Sequence, residues 1–356
     1  MRKLPPWVIY KWTFKIVSLL DKLKKWMLPN FVNVMIDLTG NAKTQIIYTG
    51  VKLGIFDTVR RKPKTVAEIS KDLNIEEDAL FRLIRALTFL DFLKLEDSNK
   101  YCLTTKGKLL TPNLPVGMKN QAIMMGDIWN DCFTQLDQSM KTGTKSLPAK
   151  YGNDFFRYLE SNSDIAAIFN NSMEEITHYS LDAILVEFDY GKYQHIIDIG
   201  GGYGSLLFAI LNKYSNTTGT LFDTESLIKD IKLQNSFVDR CKLVSGDFLK
   251  CVPNNGDLYL LKAIIHDWED KDALIILENC RKAMKSDSRL LLYENSISKI
   301  ENNWFKIYMD LLMLTALNGK ERTISEISFL LSETGFKLGR VIETRSLYKI
   351  IEAIPI

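Results

Sequence analysis

From residue 193 onward the chain alternates short apolar runs with longer segments whose apolar residues recur every three or four positions. The runs are Ile196-Ile197-Asp198-Ile199, Thr218-Gly219-Thr220-Leu221-Phe222, Leu243-Val244-Ser245, Asp257 to Ile265, and Arg289-Leu290-Leu291-Leu292-Tyr293. Continuous apolar runs of this kind read as strands buried on both faces, and strands separated by helical patterns form a doubly wound parallel sheet. Ligands of such sheets sit beyond the carboxyl ends of the strands. Gly200, Asp223, Asp247 with Phe248, and His266 each follow one of these runs, so they are expected to converge; Glu294 ends the fifth.

The first half of the chain carries a different pattern. Ile9, Trp12, Ile16, Leu19, Leu20, Leu23, Trp26 and Met27 share one helical arc, with Lys11, Lys15, Ser18, Lys22 and Lys25 opposite. Lysines interrupt this segment, so it is not a transmembrane span. It reads either as a helix packing on its own protein or a dimer mate, or as a basic helix lying on a membrane surface. Residues 35–110 read as a small helical domain. Thr65-x-x-Glu68 has the form of a capping box, and Leu80, Leu83, Ile84, Leu87 and Leu90 point inward from a helix over 76–90. Leu93–Glu96 and Lys100–Leu103 then predict a β-wing around Asp97-Ser98-Asn99, giving a winged helix-turn-helix. Pro112, Pro115 and Gly117 break the chain before further helices, which bring Met125, Trp129, Phe133, Phe169 and Met173 at helical spacing. The expected division is 1–30, a basic helix; 31–110, the winged-helix domain; 111–190, a helical connector; and 191–356, the sheet domain.

Chemistry enters with Gly200-Gly201-Gly202-Tyr203-Gly204, between the first strand and a helical pattern. Glycines let the backbone turn sharply and approach a ligand, while a helix start offers free N–H groups. A dinucleotide fingerprint needs glycine at 205, which is Ser, and a phosphate loop needs Gly-Lys-Ser/Thr, which is absent. The loop therefore suits a nucleoside-like ligand without a pyrophosphate. Asp223, 25 residues after Asp198, ends the second strand where a ribose diol is gripped. Asp247 and Phe248 offer a purine an acid and an aromatic ring.

Charge narrows the partners. The formal total is +3, but seven basic residues against Asp21 give residues 1–30 a net +6 and leave −3 for the rest. The body thus has no basic excess to attract nucleic acid. The would-be recognition helix begins Glu76-Glu77-Asp78 and adds only Arg82 and Arg85, which opposes phosphate contact. Five scattered cysteines with no CxxC pair argue against a disulfide framework or zinc site and for a reducing, cytoplasmic compartment. Three histidines far apart in sequence show no ligand spacing, and no carboxylate or histidine cluster with ligand geometry is expected, so no metal is implied.

Asp198-Ile199-Gly200-Gly201-Gly202-Tyr203-Gly204, His266-Asp267-Trp268 and Gly319-Lys320-Glu321-Arg322-Thr323 together resemble the small-molecule O-methyltransferases that use S-adenosylmethionine. That group includes plant caffeate-type, bacterial antibiotic and acetylserotonin O-methyltransferases, and the resemblance covers most of the chain. It implies an α/β fold: a Rossmann-like methyltransferase sheet with an N-terminal winged-helix, mainly helical dimerisation domain, and hence a homodimer. It implies S-adenosylmethionine as donor, held by Asp198, Gly200, Gly202, Asp223, Asp247, Phe248 and Lys262. A small aromatic or polyketide-like acceptor would be lined by Met125, Trp129, Phe133, Phe169, Met173, Met309 and Met313, of which Phe169-Asn170-x-x-Met173 matches a family element. His266 would be the general base, with Glu294 and Glu321 beside it. Asp267 reads as a cap for the helix starting near Glu269, and Trp268 as packing on the donor or filling core. Two departures stand out. Thr224-Glu225-Ser226 replaces the family's common Leu-Pro, and the basic helix at the start is not a family feature. The alternatives are a relative that keeps the donor for hydroxylation, decarboxylation or a pericyclic step, and a winged-helix regulator. The His266, Glu294 and Glu321 set weighs against the first, the acidic recognition helix against the second.

Overall fold

Two compact units make up the computed structural model, which describes all residues except 1–6, 113, 115, 153 and 302 and, at its start, the side chains of residues 7, 8, 11 and 14. The basic charges expected at Arg2, Lys3 and Lys11 and the chain break at Pro115 lie outside the described residues or side chains. Of the described residues, one unit comprises 7–130 together with Ala167–Ile176; the other comprises Asp131–Ala166 and Thr177–Ile356.

In the first unit, Gly54 takes a left-handed conformation and turns the chain between the helices Gly40–Lys52 and Ile55–Thr58. The helix Val66–Leu73 opens on a capping box in which Thr65 and Glu68 each accept the other's backbone N–H. The next helix, Glu77–Phe89, starts on the Glu76 carboxylate, which accepts from the N–H groups of Asp78 and Ala79. Leu80, Ile84 and Leu87 from this helix bury against Val51, Ile55, Phe56 and Ile69, with Leu83 and Leu90 at the margin. Strands β1 (Leu93–Glu96) and β2 (Lys100–Leu103) pair antiparallel as the expected wing. Arg82 pairs with Asp78 one turn away, at 2.7 Å, on the exposed face of the helix.

The first helix spans Trp7–Met27. Its apolar arc, Trp12, Leu19, Trp26 and Met27 included, is exposed, as are Phe31, Val34, Met35 and Leu38 of the following helix Asn30–Leu38. Asn33 Nδ2 donates to the carbonyls of Lys25 and Leu28, fixing the angle between the two helices. Among the described residues no helix is long and apolar enough to cross a membrane.

The second unit is built on seven strands: β3 (His195–Ile199), β4 (Thr218–Asp223), β5 (Cys241–Ser245), β6 (Leu258–Lys262), β7 (Arg289–Glu294), β8 (Phe336–Glu343) and β9 (Lys349–Pro355). Their order is β5-β4-β3-β6-β7-β9-β8. The first five strands are parallel, as their unbroken apolar runs require. The order reverses between β3 and β6, the place where such sheets open a crevice. β8 and β9 were not anticipated; they form an antiparallel hairpin that extends the sheet beyond β7. One face is covered by Ile276, Leu277 and Cys280 from the helix Asp270–Ala283 and by Ile327, Leu330 and Leu331 from the helix Ile324–Glu333.

Candidate active site at the carboxyl ends of the strands

β3 runs into the glycine loop, where Gly200, Gly202 and Gly204 adopt φ of 64°, 60° and 84°, a region open to glycine but costly for other residues. The loop is tied to β4 twice. Gly200 N–H donates to the Phe222 carbonyl at 2.8 Å, and Gly202 N–H to Asp223 Oδ2 at 2.9 Å. Asp223 Oδ1 accepts from Thr224 N–H at 2.7 Å. Burial pushes the Asp223 carboxyl above its ordinary range, and these backbone donors only partly oppose it. Asp198 lies under the loop, 1% exposed. A Cβ on Gly201 would come within 2.4 Å of Leu221 Cδ1 and 2.7 Å of Asp198 Oδ2, so the loop packs tightly on both side chains. Bare left-handed backbone beside a half-buried carboxylate at the end of β4 is the chemistry a nucleoside with a ribose diol requires.

The remaining residues expected around the donor are placed less uniformly. A Cβ on Gly200 would lie 3.6 Å from the Phe248 ring, so Phe248 faces the loop. Phe248 also packs edge-on against Trp268 with ring centres 5.7 Å apart, and Trp268 stacks on Phe156. Asp247 turns onto its own backbone: Oδ1 accepts from Leu249 N–H at 2.9 Å, and Oδ2 lies 3.3 Å from Lys250 Nζ. Lys262 places its ammonium 5.0 Å from the centre of the Tyr348 ring.

After β6 the chain leaves the sheet through Ala263, whose φ is 53°, and a single 3₁₀ turn, Ile265–Asp267. The turn buries His266 among carboxylates. Nδ1 lies 3.0 Å from Glu321 Oε1 and 3.9 Å from Glu294 Oε2, while Nε2 lies 3.3 Å from Asp267 Oδ1. Glu294 reaches the site from the end of β7, with Oε1 accepting Ile265 N–H at 2.9 Å. Glu321 arrives on the turn after the helix Trp304–Leu317; its own N–H donates to Asp310 Oδ1 at 3.0 Å. Among the described residues, the buried oxygens Glu294 Oε2 and Glu321 Oε2 have no hydrogen-bond donor. Burial by itself depresses the imidazole, but Asp267, Glu321 and Glu294 more than reverse this and raise His266 to about 10. Burial also raises Glu294 to about 7 and Asp267 to about 6, against the pull of the imidazolium.

Two expectations need correction. Asp267 is not the cap of the helix Asp270–Ala283, whose N-cap residue is Glu269; the 3₁₀ turn directs Asp267 to His266 instead. The expectation that no histidine–carboxylate cluster has ligand spacing also fails. His266, Glu294 and Glu321 bring one ligand atom each within 4.8 Å of one another, a closeness invisible at their separations in sequence. Asp267, Asp310 and Tyr348 join the site without having been expected there. Adjacency to His266 was the available signal for Asp267; Asp310 had none.

The residues expected near the acceptor fall in both units. Phe133 stacks on Tyr308 at 4.9 Å, on the helix that also carries half-buried Met309 and buried Met313. In the other unit, buried Trp129 meets Phe169 edge-to-face at 6.3 Å, and Met125 and Met173 are half-buried.

Residues 133–337 match the O-methyltransferase domain and residues 37–113 the O-methyltransferase dimerisation domain. The chain belongs to the S-adenosylmethionine-dependent O-methyltransferase family. It is 33% identical to the phenazine O-methyltransferase PhzM of Lysobacter antibioticus, over 90% of this chain and 94% of that one. The solved structure of LaPhzM superposes with a TM-score of 0.87 at 31% identity, covering 92% of this chain and all of the other. The O-methyltransferase NcsB1 from neocarzinostatin biosynthesis, solved with S-adenosylmethionine and 2-hydroxy-5-methyl naphthoic acid, superposes at 0.76 with 26% identity, covering 88% and 96% of the two chains. This O-methyltransferase therefore carries both the family's catalytic and its dimerisation domain.

Proposed function

We propose that the protein methylates a hydroxyl of a small aromatic or polyketide-like acceptor, with His266 as the general base and Glu294 and Glu321 supporting it. The observation that carries this reading is the Glu321–His266 contact, Oε1 to Nδ1 at 3.0 Å, in a buried carboxylate cluster where β6 and β7 end. A carboxylate on Nδ1 keeps the proton there, so once the imidazolium has released its other proton, Nε2, 3.3 Å from Asp267 Oδ1, is the nitrogen that takes one from the acceptor. S-adenosylmethionine supplies the electrophilic methyl group. The glycine loop and Asp223 grip its nucleoside, with Asp198 beneath the loop and Phe248, Asp247 and Lys262 at its edges.

The acceptor class is supported by the phenazine relative and by the naphthoic acid bound to NcsB1. Phe133, Met309 and Met313 are assigned to the acceptor, as are Trp129, Phe169, Met125 and Met173. The protein works as a homodimer, a reading supported by the dimerisation domain match. The exposed apolar arc of the first helix is assigned to a second copy rather than to a membrane. The deciding experiment incubates the full chain with S-adenosylmethionine and a panel of hydroxylated phenazines, naphthoates and benzoates, and looks for a methylated acceptor by mass spectrometry. Tight S-adenosylhomocysteine binding with no methylated product anywhere in the panel would count against the assigned acceptor class.

A further inference from the structure

Between β6 and the helix Asp270–Ala283, the segment that carries His266 has only the bonds of a single 3₁₀ turn, Asp267 N–H to the Ile264 carbonyl at 3.1 Å and Trp268 N–H to the Ile265 carbonyl at 3.4 Å. The turn Gly319–Arg322 adds further donors to its carbonyls. Arg322, 3% exposed, donates from Nη1 to the Ile265 carbonyl at 2.6 Å and from Nη2 to the Trp268 carbonyl at 2.7 Å. Its Nε and Nη2 also donate to Asp270 Oδ1 at 3.0 and 2.8 Å. The carbonyl between these two, on His266, accepts from Lys320 N–H at 3.0 Å. Gly319 packs so closely that a Cβ there would come within 2.0 Å of the same oxygen. This is the turn that brings Glu321 to Nδ1. One guanidinium, next to Glu321 in the chain, thus holds the main chain on both sides of the ring while touching neither ring nitrogen. A planar guanidinium presents five N–H donors in a fixed fork, whereas an ammonium is a point charge on a flexible stem.

We propose that Arg322 is a positioning residue, clamping the main chain on both sides of His266 so that Nδ1 stays registered on Glu321; the catalytic consequence rests on His266 being the base. Loss of the clamp loosens the Glu321–His266 pair without touching the glycine loop or Asp223. The test compares Arg322→Ala and Arg322→Lys with the unaltered protein. Histidine-labelled samples are titrated by NMR, with the His266 signal identified by its loss in His266→Ala. Turnover is followed on whichever phenolic acceptor of the panel is methylated, and donor-site integrity by calorimetry with S-adenosylhomocysteine. In Arg322→Ala the His266 midpoint should fall, turnover at the pH where it levels off should drop about 10²-fold as for other misplacements near 1 Å, and donor affinity should be nearly unchanged. Guanidinium ion should restore part of both readouts, and Arg322→Lys should fall between. An unmoved His266 midpoint, or joint loss of donor affinity and turnover that guanidinium leaves untouched, would overturn the proposal. The NMR arm needs no acceptor. Full turnover in His266→Ala removes the base, and an unmoved titration removes the clamp, so the two failures are distinguishable.

Discussion

Replacing Glu321 by Gln removes one charge and keeps the shape. Glu321 Oε1 sits 3.0 Å from His266 Nδ1, both groups are buried, and no solvent screens the pair. A hydrogen bond to a charged partner contributes about 1.5–3 kcal/mol, and about 1.4 kcal/mol corresponds to one pKa unit. The His266 midpoint, raised to about 10 in the unaltered protein, should therefore fall by about one to two units. Asp267 and Glu294 keep it above that of a free imidazole. The chain has three histidines, so side-chain NMR with His266→Ala as reference resolves the titration. A base must be neutral to accept a proton, so turnover should rise with pH toward the midpoint and then level off. In Glu321→Gln the levelling should come earlier and lower, because the imidazolium formed during transfer has lost part of its support. The stability consequence has a definite sign. Because the folded midpoint lies above the ordinary one, the stabilisation from protonated His266 is complete below about pH 6.5 and is lost as pH rises through about 10. The stability deficit of Glu321→Gln should then be largest in mild acid and shrink toward pH 10. An unchanged midpoint together with an unchanged pH–rate profile would show that Glu321 does not act through His266.

Four further outcomes are expected. Assayed at the pH where turnover levels off, His266→Ala should slow it about 10²–10⁴-fold and leave S-adenosylhomocysteine affinity nearly as it was, since proton transfer and donor binding use different groups. Asp223→Ala should weaken that affinity by about 2 kcal/mol, roughly thirtyfold; unchanged calorimetric affinity would remove Asp223 from the donor site. Gly319→Ala puts a Cβ within 2.0 Å of the His266 carbonyl, so it should cost turnover more than donor affinity; equal kinetics would mean the turn shifts freely. Deleting residues 1–29 should weaken self-association measured by light scattering, whereas loss of sedimentation with anionic liposomes as the sole effect would favour the membrane reading of the first helix.

Features carried by neighbouring residues are legible in the amino-acid sequence itself. Unbroken apolar runs announce β3, β4, β6 and β7, because a strand buried on both faces leaves no polar alternation. Gly200, Gly202 and Gly204 announce a tight turn because only glycine takes positive φ without strain, and Thr65 with Glu68 announces a helix start. The β8–β9 hairpin escapes because the alternation expected from the preceding strands is parallel, whereas this pair returns antiparallel after β7. The site itself needs the tertiary structure. Glu294 can be placed at a strand end, but not within 3.9 Å of His266 Nδ1. Asp267 follows a histidine and precedes a helix, a pattern that fits a cap, yet Ala263 and the 3₁₀ turn aim it at Nε2. Arg322 looks like any surface cation until the fold buries it among three acceptors. Dihedral preference and periodicity act over a few residues and are written in the local sequence. Distances across crossover connections are set by how the strands assemble side by side, and there the histidine, its carboxylates and the guanidinium first meet.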